Sequence, residues 1–162
     1  MIDWISTKVA MTLAALILLA GVVGFFLVQQ QEIRHDALQA TADRSAAYLA
    51  EVSAGPGEIG TSISIGGDAS LALPGLVAGE PYSLTFYPSY VVAGREGDRA
   101  FAVLSEPLHL WEPKAGMYIA EDVTALDALH PSVTIEQLGR VIASRRLITV
   151  DGNDSFAMFV FL

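Results

Sequence analysis

Apolar residues fill the chain without interruption from Val9 to Val28, where the sequence is VAMTLAALILLAGVVGFFLV. These twenty residues carry no charge, and a helix rising about 1.5 Å per residue over this length matches the roughly 30 Å hydrocarbon core of a bilayer. A core helix of a globular domain usually keeps a polar face, whereas this segment offers only Thr12. The pattern therefore predicts a transmembrane helix in contact with membrane lipid.

The residues after this segment favour a retained anchor over a cleaved signal peptide. The apolar region of a signal peptide usually has about 7–15 residues and ends at a small-x-small cleavage site. Here the polar stretch QQQEIR follows at residues 29–34, and the nearest small-x-small pattern, Ala40-Thr41-Ala42, lies too far downstream. We therefore expect an uncleaved signal-anchor.

Mostly small residues recur along one face of this helix at alternating spacings of four and three. The face within the apolar segment comprises Ala10, Ala14, Ile17, Gly21 and Gly24. Small side chains let helix backbones approach closely in lipid, so these five residues are a candidate helix-packing interface. The same spacing continues after the membrane through Val28, Gln31, His35, Leu38, Ala42, Ser45, Leu49 and Val52.

One long helix is predicted from about Trp4 to Ala54, because no proline or glycine interrupts positions 25–54 and Gly55-Pro56-Gly57 then ends it. Its continuous face has two interpretations. The part beyond the membrane forms a stalk that docks on the chain's own globular domain, or the whole face packs against a copy of itself or a partner helix.

Beyond Gly57 the apolar period changes from helical to two, which predicts a β-rich domain. Gly66-Gly67-Asp68 predicts a hairpin turn between the first two strands, and the segment Gly94–Asp98 predicts another polar turn. The predicted strands of this first part are Ile59–Ile65, Ala69–Leu73, Tyr82–Tyr87, Tyr90–Ala93 and Ala100–Leu104.

The segment that follows is less regular. Two prolines bracket Trp111 in the extended connector Pro107–Pro113, and this tryptophan either fills the core or forms an exposed contact. Asp122–Leu129 has weak helical character. Thr134–Ser144 fits a helix or a strand, and we favour strand.

The C-terminal residues predict a hairpin. Arg140–Val150 leads into the turn Asp151-Gly152-Asn153-Asp154, and Ser155–Leu162 returns. Because the returning strand is almost wholly apolar, both of its faces need cover. We expect it at the centre of a sheet or paired within a partner.

These elements predict an α+β fold, with a long transmembrane helix followed by a small, mostly antiparallel sheet or sandwich. The predicted parts are a tail and transmembrane helix at 1–28, a helical stalk at 29–57 and a β domain at 58–162. Asn153-Asp154-Ser155 in the β domain matches an N-glycosylation acceptor pattern at Asn153.

The net charge of the chain and its distribution limit the classes of binding partner that we expect. The formal net charge is −9, and Asp3 and Lys8 cancel, so the excess lies after the membrane segment. Nucleic acid needs lysine and arginine against its phosphates, so we expect no nucleic-acid partner. Lys8 and the terminal amine lie before the segment and Arg34 and Arg44 after it, so the local count of positive charges slightly favours the orientation opposite to export of the β domain. We expect the β domain outside the cytoplasm, because long domains translocate largely regardless of charge.

Residues with catalytic or ligand chemistry form no recognisable motif. The chain has no cysteine and three widely separated histidines, His35, His109 and His130. Asp151, Asn153 and Ser155 mimic the start of a calcium loop, but Phe156 stands where such a loop needs glycine and Leu162 where it needs glutamate. The carboxylates of Glu121-Asp122 are adjacent, which gives little support for an acid–base pair. We expect no catalytic residue, no cofactor and no metal.

The layout as a whole resembles type IV pilin-like proteins, including archaeal ones, and the small single-pass β-domain proteins that accompany archaeal surface filaments. The shared features are the apolar N-terminal helix, its amphipathic continuation and the β domain. Lys8 is followed directly by Val9, whereas such pilin precursors carry glycine or alanine after the basic residue. The resemblance implies a non-enzymatic surface protein that binds a protein partner or itself, with a pilin-like filament subunit as the alternative.

Overall fold

The computed structural model describes residues 2–95 and 97–162, with side chains from Thr7 onward. The fold is α+β, as predicted, and divides into two compact units at the boundary between Arg34 and His35. Helix α1 (Ile2–Ala54) contributes residues to both units. The three-part division at 28 and 57 stays a prediction, and Glu96 of the predicted Gly94–Asp98 turn lies outside the described residues.

The first unit consists of the N-terminal part of α1. Every side chain from Thr7 to Arg34 is exposed, including large apolar ones such as Ile17 and Leu18. By length and composition, α1 is the one helix in the described chain that is apolar enough to cross a membrane. Exposed apolar surface on this scale is unusual in water, which fits a membrane-spanning segment.

The second unit begins with the rest of α1, whose inner face is buried. Leu38, Ala42, Leu49 and Val52 belong to the same apolar cluster as residues from the strands that follow. Ser45 is fully buried on this face, and its hydroxyl donates to the carbonyl of Thr41. From Leu38 onward, the repeating face is therefore covered by the chain's own domain, as the stalk interpretation predicted, whereas Gln31 and His35 on the same face are exposed.

Ten strands and a second helix make up the rest of the described chain. In chain order they are β1 (Ile59–Ile65), β2 (Leu71–Leu73), β3 (Ser83–Phe86), β4 (Tyr90–Arg95), β5 (Asp98–Val103), β6 (Leu108–His109), β7 (Met117–Tyr118), α2 (Ala120–Leu129), β8 (Val133–Ile135), β9 (Arg140–Val150) and β10 (Asn153–Phe161). The first sheet has the order β2-β1-β9-β10-β6, with β7 beside the end of β9. The second has the order β5-β4-β3-β8.

Both sheets and α1 contribute to one main core, so the domain is sandwich-like. Ile63 and Val141 from the first sheet and Leu84 and Phe86 from the second are fully buried there. Tyr82 is buried at the same core, where its hydroxyl donates to the carbonyl of Pro74. Burial raises the pKa of Tyr82 to about 12, because a charged phenolate loses its hydration there.

The predicted C-terminal hairpin is confirmed. Asp151 and Gly152 form its two-residue turn with φ of 50° and 80°, the left-handed geometry of a tight hairpin turn. Asn153 and Asp154 already pair with β9, so the turn is shorter than predicted. Strand β10 lies between β9 and β6. Its apolar residues are covered on both faces, because Met158 and Val160 enter the main core and Phe159 enters a smaller second core.

The predicted hairpin between the first two strands is wrong, because β2 pairs with β1 in parallel, with Ile63 opposite Leu71. A Cβ built on Gly66 would lie 3.0 Å from the Cα of Gly75. The chain leaving β2 therefore passes directly against the chain leaving β1, and this contact requires both strands to run in the same direction.

The other predicted helices and strands form with small shifts of boundary. Helix α2 forms at the weakly helical segment, and Thr134–Ser144 supplies strands β8 and β9. The break between them includes Leu138, with φ of 64°. Trp111 is 4% exposed, which confirms that it packs inside the domain.

Arg145 holds the C-terminal end of α1. One of its guanidinium nitrogens donates to the carbonyls of Gly55 and Gly57, each at 2.8 Å. The guanidinium also lies 3.8 Å from the centroid of the Phe156 ring, which is a cation–π geometry. A cation at this position satisfies carbonyls that have no partner within the helix.

We predict that Arg145→Ala lowers the free energy of unfolding by about 2 kcal/mol, since it removes two charge-assisted hydrogen bonds and the ring contact. Urea unfolding of the full chain in detergent micelles measures this change. The matched control is Arg146→Ala, which removes a half-exposed ion pair with Glu58 at 3.5 Å and should cost no more than about 0.5 kcal/mol. Equal losses for the two variants would contradict the role of Arg145.

Candidate binding surface

The outer face of the second sheet is a groove that no other described element covers. Side chains alternate along each strand, and the inward ones, such as Leu84, Val91 and Ala102, enter the core. The outward ones stay accessible and surround a groove of about 870 Å³. Its lining residues are Ser83, Thr85, Tyr87, Ser89, Tyr90, Val92, Gly94, Arg95, Arg99, Phe101 and Val103.

Strand register arranges these side chains in rows across the sheet. Ser83, Gly94 and Arg99 form the first row. Thr134, Thr85, Val92 and Phe101 form the second, and Tyr90 and Val103 form the third. Successive rows lie about 6.7 Å apart, since each strand rises about 3.3 Å per residue.

The apolar and aromatic side chains of the groove lie in its second and third rows and at the neighbouring Tyr87. Tyr87 and Tyr90 stack with ring centroids 4.5 Å apart and an interplanar angle of 18°. Phe101 is 65% exposed and Val103 is 76% exposed. Contiguous apolar exposure of this kind, beside polar residues, is typical of an interaction surface.

The positive charge of the groove lies at its first-row end, on Arg99 and on Arg95, which follows Gly94. Arg95 forms an ion pair with Glu80. Arg99 lies across Gly94, since a Cβ built on that glycine would be 3.2 Å from the Cγ of Arg99. Within residues 2–95 and 97–162, no carboxylate lies within ion-pair distance of the Arg99 guanidinium. The groove therefore changes from cationic to apolar along the strand direction.

A second group of polar side chains lies on the outer face of the first sheet, under α2. Asp127 accepts hydrogen bonds from Nδ1 of His109 at 2.8 Å and from Nε1 of Trp111 at 2.8 Å. Phe159 packs against both rings, with centroid distances of 5.2 Å to His109 and 5.0 Å to Trp111. Trp111 and Phe159 belong to a small second core, against which Val123 and Leu126 of α2 pack.

The hydrogen bonds of Asp127 attach α2 to the first sheet. No residue of α2 is fully buried, so its half-buried Val123 and Leu126 supply little apolar contact. The hydrogen bonds of Asp127 add the specific attachment.

The predicted helix-packing residues Ala10, Ala14, Ile17, Gly21 and Gly24 lie together on α1 and are exposed. A Cβ built on Gly21 or Gly24 would have no atom within 4 Å apart from the neighbouring helix backbone. The face that these residues form is therefore free to pack against another helix, and their role as an interface stays a prediction.

The other residues singled out in the sequence are dispersed. His35 hydrogen-bonds Asp98 at 3.0 Å, and His130 is exposed at the end of α2. Asp151 accepts from the backbone N–H of Ala120, and Asn153 is exposed at the start of β10. Glu121 and Asp122 lie in the first turn of α2. Among the described residues, no three His, Asp or Glu side chains are placed to hold a metal ion.

No protein-family model, no curated protein and no solved structure matches this chain. The features of the chain that bear on its function are the helix α1 and the outer faces of the two sheets.

We predict that Asp127→Ala lowers the free energy of unfolding by about 2 kcal/mol, because the buried indole N–H of Trp111 loses its acceptor. The emission of Trp111, recorded in a Trp4→Phe background, should shift to longer wavelength as α2 loosens. Asp122→Ala is the matched control, since this carboxylate is exposed in the first turn of the same helix. An unchanged emission and unfolding midpoint for Asp127→Ala would contradict the attachment role.

Proposed function

We propose that this chain is a non-enzymatic, membrane-anchored surface protein whose β domain serves protein–protein interaction or envelope assembly. The observation that carries the proposal is that the two parts of α1 differ in exposure. Its apolar part is exposed throughout, whereas its later part is buried in the β domain. The first part is suited to lipid and the second to holding a domain at the membrane.

The β domain supports an interaction role through the groove on its second sheet. Tyrosine and arginine are enriched among residues that dominate the binding energy of protein interfaces, and the groove contains two of each: Tyr87, Tyr90, Arg95 and Arg99. We place the β domain on the extracytoplasmic side, with the N-terminus in the cytoplasm.

The anchor is tested by alkaline carbonate extraction of membranes. We predict that the chain stays in the membrane pellet and that Leu16→Lys with Leu19→Lys releases it. Each lysine near the centre of a span costs about 2.5–3.5 kcal/mol, so two suffice to prevent stable insertion. Release of the unmodified chain by carbonate would contradict the anchor.

The matched control adds two lysines to exposed positions of the β domain, as His130→Lys with Leu138→Lys. This variant should stay in the pellet.

The side of the membrane on which the β domain lies is tested by labelling. Because the chain has no cysteine, Ser155→Cys supplies a single label site for a membrane-impermeant maleimide. Labelling in intact cells agrees with the extracytoplasmic placement, and labelling only after permeabilisation contradicts it.

The alternative is a pilin-like subunit of an extracellular filament, with the small-residue face of α1 at its centre. One observation favours it: α1 is a single helix of 53 residues whose exposed face carries Gly21 and Gly24 with no neighbouring atom. In a filament, that face would pack against other copies of the helix.

The mass of the native N-terminus separates the two functions. We predict a chain that begins at Met1 or Ile2, because an anchor needs no processing before its apolar segment. A chain that begins near Val9 would instead support the filament subunit. Crosslinking adds a second measurement, since Gly21→Leu with Gly24→Leu should abolish oligomers if the small-residue face is the interface.

A further inference from the structure

The groove on the second sheet combines a cation and an apolar surface at a fixed separation. Arg99 and Val103 lie on the same face of β5, four residues apart, which corresponds to about 13 Å along a strand. Phe101 lies between them. A ligand that fills the groove along this strand therefore meets positive charge at one end and apolar side chains at the other.

The charge at Arg99 selects for an anionic group. In the described part of the groove, Arg95 is paired with Glu80 and Arg99 is paired with no carboxylate, so the charge of Arg99 is available to a ligand. No hydrogen bond joins the Arg99 guanidinium to another residue of the described chain. A guanidinium has five N–H donors in a planar fork that matches a carboxylate.

The opposite end of the groove selects for an apolar side chain. Phe101 and Val103 are largely exposed, and Tyr90 is 37% exposed beside them. Burying such surface is favourable by roughly 25 cal/mol per Å². An anion alone would leave this surface in water, so the ligand needs an apolar group as well.

The hydrogen-bonding capacity of the groove favours a polypeptide over a sugar. The hydroxyls of Thr85 and Thr134 bond each other at 2.9 Å, and Ser83 donates to the carbonyl of Gly94. These hydroxyl groups already form hydrogen bonds within the sheet, whereas a sugar ring needs many donors and acceptors. The rest of the groove lining is mainly apolar and aromatic.

We propose that the groove binds an extended segment of a partner protein that places an acidic side chain on Arg99 and an apolar side chain against Phe101 and Val103. Such a segment carries these two residues four positions apart, which matches the separation of Arg99 and Val103 on β5. Both then lie on one face, because side chains on one face of an extended chain repeat every two residues. The inference rests on the proposed interaction function and names the chemistry of its partner.

The test uses fluorescein-labelled dodecapeptides in a serine–threonine host sequence, with the full chain in detergent micelles and fluorescence anisotropy as the readout. The first peptide has a glutamate and a leucine four positions apart. The second has them three positions apart, which puts them on opposite faces. We expect the first to bind at least about tenfold more tightly, with binding that weakens as salt is raised.

Variants of the groove identify the contacts. Arg99→Gln and Phe101→Ser should each weaken binding of the first peptide about tenfold. Arg99→Lys should give a smaller loss, because it keeps the charge and loses the planar fork. The matched controls are Arg140→Gln and Leu147→Ser, which make the same changes at exposed positions of β9 and should leave affinity unchanged. Circular dichroism checks that every variant keeps its fold.

Two outcomes overturn the inference. The first is equal affinity of the unmodified chain and Arg99→Gln for the first peptide, or no measurable binding. The second is binding of an oligogalacturonate that depends on Arg99 while neither peptide binds, which would assign the groove to an acidic glycan. Either result is distinct from failure of the anchor, because carbonate extraction reports on the membrane segment alone.

Discussion

The burial of one face of α1 against the β domain is the contact on which the rest of the second unit depends. Leu38, Ala42, Leu49 and Val52 enter the core that both sheets share, and Arg145 holds the carbonyls just beyond the end of the helix. The helix contributes five of the buried apolar residues of that core. The inward faces of the sheets are thereby buried, and the outward faces remain available for other contacts.

The two outward faces differ in what covers them. On the first sheet, α2 closes over Trp111 and Phe159, and the carboxylate of Asp127 fixes it there. No described element covers the second sheet, where Arg99 and Phe101 stay exposed. Helix α2 therefore covers the outer face of the first sheet, and the outer face of the second sheet stays accessible to a binding partner.

Local pattern predicted most elements, and contacts between distant residues account for the rest. The end of α1 at Gly55-Pro56-Gly57 and the turn at Asp151-Gly152 depend on neighbouring residues, so both were predictable. The direction of β2 depends on the approach of Gly66 to Gly75, which no local pattern shows. Alternation places Thr85 and Phe101 each on one face of its strand, but only the strand register brings them into one row and so defines the groove.

By our proposal, the two parts of α1 face different surroundings, which are lipid for the first and the β domain for the second. Nitroxide scanning tests it directly in liposomes, since a chain without cysteine accepts one label at a time. Labels at positions 9–28 should be relaxed by molecular oxygen and shielded from a water-soluble nickel complex. Labels at positions 38, 42 and 49 should be shielded from both, with accessible positions between them at helical spacing. Free access of the nickel complex throughout 9–28, or uniform access from 38 to 52, would contradict the account.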